Sequence, residues 1–476
     1  MVFNITVKNF KSISSIDLAL KEGLNILIGP NGSGKTCILT SLKFVRDLFV
    51  LGAAQATARN GGATRIFRRG EDTVSFSIEH DYGDRVYRKR KWPCTFSWRV
   101  EISQMGPEKI AAIKCEDVSI YANVRGKQKL LFRLNVDRGN PQSTKTILHL
   151  SEPHEFGRDL FSRWNRMFSS KSKKDIHSEF EERMLRLIIR RARVRPDESV
   201  FPLIMRFDDK LQHLYNLFFY LNEYNIHPDT ARQSAERLPF AKMQPNGDGV
   251  AEVIDALEKR SFDRIELARY YGMESFMGYD YPMTDFPYYA YPHRYDYRFR
   301  RYTPTELQRV YKQAFENINK ELSAAVKPIE SVSVKIDETN GKRFVVFRAG
   351  KETFYPQEVS DGTIKWLCIL VSIFVPYSSV YILEEPENFL HPWMQQRLIS
   401  MMREHAKINN AIFVLASHSS TVLNSAFAEE VLIVSQTKDG TKINEIADKE
   451  EIERVLLESD FRLGDFWVSG ALGGVP

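Results

Sequence analysis

The stretch Gly29-Pro30-Asn31-Gly32-Ser33-Gly34-Lys35-Thr36 follows the pattern GxxxxGK(S/T), and its flanks restrict what can fold around it. An apolar run, Leu24–Ile28, leads straight into the glycines, and a helical pattern, Cys37–Val50, follows. A strand, a tight turn and a helix in that order leave backbone N–H groups pointing into the turn. Glycines let those amides close around a phosphate, and the helix N-terminus favours the negative charge. Lys35 brings a point charge to the β- and γ-oxygens of a nucleoside triphosphate, and the Thr36 hydroxyl is placed to ligate Mg2+. A glycine-rich turn without a ligand is the plainer alternative.

A phosphate cradle by itself hydrolyses nothing, so a second, acidic site is required beside it. Ser379–Leu383 is a strand pattern that ends in Glu384-Glu385-Pro386-Glu387. Carboxylates at the end of an apolar strand are costly to bury unless they meet a cation. One can order a Mg2+ shell while its neighbour polarises the attacking water; a solvated acidic loop is the alternative. A third strand pattern, Ala411–Ala416, ends in Ser417-His418-Ser419. That is the carboxyl end of a parallel-strand candidate, where ligands bind in open α/β sheets. His418 is there either to touch a γ-phosphate or, more simply, to cap the strand.

The 476 residues are enough for two or three domains at roughly 150 each. Short β-like runs over 72–136 read as an antiparallel lobe, and 150–260 turns helical, as in FEERMLRLIIRRARV. From about 330 the strand–helix alternation returns and continues to Gly440. The expected organisation is an N-terminal lobe (1–150), a mainly helical insertion that is first basic and then tyrosine-rich (151–310), and a C-terminal lobe (311–476). The heptad pattern is too short for a long coiled coil. Cys37, Cys94, Cys115 and Cys368 are far apart with no CxxC pair, which argues against a zinc ribbon or disulfide framework and for a reducing compartment. The N-terminus has no signal pattern, and the longest apolar run, Trp366–Val375, is half the ~20 residues of a membrane span. A cytoplasmic protein without a membrane segment is expected.

Taken together, the motifs resemble the ATP-binding-cassette (ABC) type of P-loop ATPase in its RecF/SMC/OLD branch. The ordered set is a Walker A loop at 29–36, a signature-like Val359-Ser360-Asp361-Gly362-Thr363, a Walker B strand ending in Glu384-Glu385-Pro386-Glu387, Leu390-His391-Pro392, and a switch histidine at His418. Pro245–Ile254 and the tail Leu463–Gly474 look like the same branch, in particular its standalone prokaryotic ATPases, many of them in anti-phage defence. The resemblance implies an α/β, ABC-type P-loop ATPase with an antiparallel β lobe and a mainly helical insertion, using ATP and Mg2+. By it, Glu385 is the catalytic base and His418 the γ-phosphate contact. Gly29 to Thr36 bind ATP, and Thr36 and Glu384 hold the metal, Glu384 standing where many cassettes have Asp. Ser360 and Gly362 would serve the ATP of another copy, which implies a homodimer or higher homo-oligomer. Read from the residues alone, Ser-Asp-Gly-Thr is equally a helix N-cap, with Thr363 or Asp361 satisfying free amides. For the Mg2+-binding glutamine of cassettes, Gln55 is the only early candidate, but its sequence context does not match and no residue is assigned that role.

From Lys35 to Glu385 the chain runs 350 residues, more than a bare cassette requires, and only 58 follow His418. That leaves no room for the Toprim domain of OLD nucleases. A separate subunit would therefore do any cutting, a layout like that of the PARIS and Septu defence systems, with size favouring PARIS. Residues 156–195 carry twelve Arg/Lys against five Asp/Glu, and six basic residues lie among aromatics in Arg85–Arg99. Such patches suit nucleic acid or an acidic phage protein, or are simply solvated faces. Ten of the twenty tyrosines fall in 270–302, a composition suited to a subunit interface. The implied function is an ATPase sensor and scaffold controlling a separate toxic nuclease. The alternatives are a RecF-like DNA-repair ATPase and an ATP-gated scaffold with little turnover.

Overall fold

The computed structural model describes residues 2–87, 90–105, 109–139, 145–150, 196–204, 218, 221–235, 241–262, 304–375, 379–446, 449–458 and 461–471. The basic stretch 156–195, the tyrosine-rich stretch 270–302 and the last residues of the tail lie outside them.

The N-terminal strands β1 (Val2–Phe10), β2 (Ile13–Lys21), β4 (Thr73–Tyr87), β5 (Arg90–Met105), β6 (Ile110–Val124), β7 (Lys127–Asp137) and β8 (Lys145–Leu150) form an antiparallel sheet in the order β2-β1-β4-β5-β6-β7-β8. In β2, buried residues alternate with more exposed ones, as in a sheet with one covered face. A second sheet joins strands far apart in sequence: β3 (Gly23–Ile28), β9 (Leu221–Tyr224), β13 (Val380–Glu384), β14 (Ile412–Ser417), β15 (Val431–Thr437) and β16 (Gly440–Glu445), ordered β16-β15-β3-β14-β13-β9. All but the edge strand β16 run parallel. Its central strands β3, β13 and β14 are buried along nearly their whole length, a mainly apolar run interrupted in β3 by the buried Asn25 rather than an alternation. Such a run needs cover on both faces.

Helix α1 (Lys35–Arg59) covers one face and fills the space between the two sheets. Phe44 stacks on Phe76 with ring centroids 5.3 Å apart, and Phe10 lies against both. On the other face lie α2 (Val250–Glu258), α3 (Pro304–Ala325), α4 (Asp361–Phe374), α5 (Pro392–Asn409) and a small sheet of β10 (Ser331–Ile336), β11 (Arg343–Ala349) and β12 (Glu352–Phe354). This second core closes over Trp366, Tyr381 and Phe413, the last two stacked at 4.6 Å.

The fold is thus α/β with an antiparallel lobe. Within the span expected to be helical insertion, the structure places a strand of the main sheet: β9 pairs parallel with β13, Tyr224 opposite Leu383. Four residues carry too little periodicity to separate a strand from a helical turn, and a neighbouring edge decides. Among the described residues no helix is long and apolar enough to cross a membrane.

Candidate nucleotide site

The phosphate loop leaves the carboxyl end of β3 and enters α1. Gly34 is the N-cap of α1 at φ 105°, and a Cβ there would stand 2.2 Å from Thr441 Oγ1. Glycine is required on both counts. Lys35 Nζ donates to the carbonyls of Gly29 at 2.7 Å and Pro30 at 3.1 Å, so its cation folds back over the loop. Burial pushes its pKa down to about 8, against the pull of Glu385, Glu384 and Glu387. Asn31 and Gly32 form the exposed tip. Ser33 is buried, and its hydroxyl has no hydrogen-bond partner among the described residues. An orphaned donor inside a ring of loop amides fits a phosphate oxygen.

The carboxylates stand at the end of β13. Because β14 lies between β3 and β13, pairing Ser417 with Ile28 on one side and Ala416 with Glu384 on the other, the three strand ends converge. The Thr36 hydroxyl donates to Glu384 Oε1, and Asn225 Nδ2 donates to Glu384 Oε2 at 3.3 Å. Among the described residues no three His, Cys, Asp or Glu side chains cluster as a metal cage. Mg2+ asks for less: one or two carboxylates, with waters and phosphate oxygens completing its shell. Thr36, Glu384 and Asn225 fit that demand.

Asn225 escaped the sequence analysis. It follows β9, whose position is secured by Lys43–Glu223 at 2.7 Å and by Arg46 Nη1 donating to the Leu221 carbonyl at 3.3 Å. The Pro245–Ile254 segment braces it: Asn225 N–H donates to the Pro245 carbonyl at 2.9 Å, and His227 N–H to that of Asn246 at 3.0 Å. Gln55, to which no role is assigned, is exposed in α1 beyond the non-helical break at Gly52. The available signal was the Pro245–Ile254 segment itself, whose job is to hold the strand before it.

Glu385 adopts φ 45°, an uncommon left-handed conformation for a residue with a side chain. Several contacts hold it there. Its N–H donates to the Ala416 carbonyl at 2.9 Å, and its own carbonyl accepts from Lys365 Nζ at 2.9 Å. Its Oε2 accepts from Asn388 Nδ2 at 2.7 Å, and Oε1 stands 3.6 Å from His418 Nε2. Burial, then the charge of Lys35, lowers the His418 pKa and favours the neutral imidazole. Lys35, Thr36, Glu384, Glu385 and His418 therefore share one place.

Ser360 and Gly362 do not join it. Ser360 caps α4, accepting from the Thr363 N–H at 3.2 Å, so the capping oxygen is neither Thr363 nor Asp361 as the residues alone suggested. A Cβ on Gly362 would meet the Phe389 carbonyl at 2.5 Å. Among the described residues no hydrogen bond links either to the phosphate loop of its own chain. A second residue missed by sequence reasoning holds this loop: Arg232 donates from Nε to Pro356 O at 3.0 Å, from Nη2 to Val359 O at 2.9 Å and from Nη1 to the Asp361 carboxylate. His391 caps α5, its Nδ1 accepting from the Trp393 N–H at 3.3 Å.

Two family models match the two ends of the chain: an "AAA ATPase domain" over residues 1–191 and an "AAA domain, putative AbiEii toxin, Type IV TA system" over residues 251–424. The fold is that of a P-loop ATPase. Short stretches also match the DNA replication and repair protein RecF, at 40% identity over 68 residues for that of Erwinia tasmaniensis and 30% over 95 for that of Mannheimia succiniciproducens. These stretches cover 14% and 19% of this chain but only 17% and 24% of the relatives. Among solved structures, an SMC head bound to the C-terminal winged-helix domain of ScpA aligns over 95% of this chain and 99% of its own, with a TM-score of 0.44 and 11% identity.

Proposed function

We propose that this chain binds and hydrolyses ATP at sites completed between two copies. The observation that carries the reading is the meeting, at adjoining strand ends, of the Thr36–Glu384 contact and the Glu385–His418 pair 3.6 Å apart. Gly29 to Thr36 wrap the phosphates, with Lys35 leaving its loop carbonyls for the β- and γ-oxygens. Thr36, Glu384 and Asn225 would hold Mg2+, which would supply positive charge against the transferring phosphoryl group. Glu385 takes a proton from the attacking water; the new P–O bond replaces the β–γ bridge, and ADP and phosphate leave. His418, kept neutral, donates a hydrogen bond to the γ-phosphate. Ser360 is exposed at the N-terminus of α4, a place where a hydroxyl and free amides suit a γ-phosphate presented by the second copy.

The test is a phosphate-release assay with wild type, Lys35→Ala and Glu385→Gln. ATP binding should be lost in the first variant and kept in the second, with turnover reduced at least ~100-fold. Equal hydrolysis by wild type and Glu385→Gln would remove Glu385 as the base.

Around this engine we place a cytoplasmic defence complex in which the ATPase senses infection and controls a separate nuclease. The motif order and the toxin–antitoxin description of the family matching 251–424 support it. The RecF similarity supports a second reading, direct action on DNA. Native mass after co-expression with the neighbouring genes, in ATP and Mg2+, separates them. A homo-oligomer carrying a second polypeptide fits the first; a dimer that gains mass only with DNA fits the second.

A further inference from the structure

We infer that Glu387 is a positioning residue, whose buried carboxylate sets where His418 stands relative to Glu385. The inference rests on the ATPase reading and adds a residue to it. Glu387 is 6% exposed, a costly environment for a carboxylate unless its oxygens are used. Its Oε1 accepts twice, from the Ser417 hydroxyl at 2.6 Å and from the His418 backbone N–H at 2.9 Å. Bonds to a charged acceptor are short and about twice as strong as neutral ones.

The His418 ring is held far more loosely. Its Nε2 stands 3.6 Å from Glu385 Oε1, and the side chain is one-third exposed. Backbone attachments on either side therefore set its place. Before it, Ala416 accepts from the Glu385 N–H at 2.9 Å. After it, the Ser419 hydroxyl donates to Gln395 Oε1 at 2.6 Å, while Gln395 Nε2 donates to the Leu390 carbonyl at 2.9 Å. Residues 416–419 are thus bound to the 385–390 turn at successive positions, and Glu387 supplies the middle bond. Its Oε2 has no hydrogen-bond partner among the described residues, so the carboxylate is not serving a satisfied core network. Instead its charge attracts both Lys35 and Lys365.

Two measurements test this, and the first does not depend on hydrolysis. Hydrogen exchange of the 411–424 segment should quicken at least tenfold at residues 417–419 in Glu387→Ala and stay near wild type in Glu387→Gln, which retains an accepting oxygen. Unchanged exchange in Glu387→Ala overturns the anchoring. The second is a double-mutant cycle in the phosphate-release assay. Glu387→Ala should lower kcat at least tenfold with the KM for ATP within threefold, and the loss should vanish in a His418→Ala background. Losses that multiply instead would overturn the role through His418. Should Glu387→Ala not fold, Ser417→Ala leaves the carboxylate in place; its kcat should fall severalfold, again only while His418 is present, and a wild-type kcat would count against the inference. Absence of Lys35-dependent hydrolysis in the wild type would instead sink the ATPase reading, leaving the exchange result to decide the anchor.

Discussion

Lys365, one turn into the helix that Ser360 caps, donates from Nζ to the carbonyl oxygen of Glu385 at 2.9 Å. One buried ammonium thus ties α4 to the turn that carries the candidate base. It also lies 5.6 Å from the centre of the Phe389 ring. Burial pushes its pKa from the ordinary 10.5 down to about 8, against the attraction of Glu387 and Glu385. Between pH 8 and 10.5 the unfolded chain holds this proton and the folded chain does not, so stability rises with pH across that window. Thermal melts of wild type and Lys365→Met should show the wild type gaining on the variant from pH 8 to 10.5. A constant difference would mean that Lys365 titrates as an ordinary lysine.

Asn225 touches the carboxylate assigned to the metal, donating to Glu384 Oε2 at 3.3 Å. Groups of this kind typically change metal affinity by ~10- to 100-fold. Asn225→Ala should therefore raise the Mg2+ concentration for half-maximal turnover about tenfold, while nucleotide affinity measured in chelator stays the same. Equal Mg2+ titrations for the two proteins would exclude Asn225 from the shell.

Arg232 bonds two carbonyls and a carboxylate around the loop before α4. A guanidinium does this with a planar fork that an ammonium lacks. Arg232→Ala should leave ATP binding by the single chain intact and weaken ATP-dependent self-association at least tenfold, and Arg232→Lys should not restore it. Analytical ultracentrifugation in a Glu385→Gln background reads this directly.

Glu116 is fully buried in the β lobe and accepts from Trp98 Nε1 at 2.9 Å, Ser199 Oγ at 2.6 Å and the N–H groups of Val200 and Phe201 at 2.8 and 3.3 Å. Glu116→Ala takes this acceptor from the Trp98, Ser199 and Val200 donors, at about 1–3 kcal/mol for each unsatisfied group, while the Phe201 N–H keeps the Ser199 hydroxyl at 3.2 Å. Summed over three donors near the lower end of that range, the expected loss is about 3–5 kcal/mol. A denaturant-unfolding shift under 1 kcal/mol would show that the 196–201 segment is held by other means.

The chemistry-bearing side chains were legible because each sits next to a buried strand in its own local sequence. Leu24–Ile28 announces the phosphate loop, Ser379–Leu383 the glutamate pair and Ala411–Ala416 the histidine, and parallel strands buried on both faces leave mainly apolar runs that a reader can find. The same locality made Ser-Asp-Gly-Thr readable as a helix cap, although the capping oxygen is that of Ser360 and not of Thr363 or Asp361. Asn225 and Arg232 have no such herald. Asn225 matters because β9 pairs with β13, 159 residues later, and Arg232 because a short helix brings it beside Asp361, 129 residues on. Glu387 was visible as a letter of a motif, but its hold on Ser417 and His418 depends on the register of β13 and β14. The sequence by itself determined which residue types stand at each strand end, since burial patterns and glycine turns are written locally. Only the tertiary structure decided which strand ends meet, because pairing between distant strands is chosen by complementary edges and shared burial, and neither is a property of any one segment.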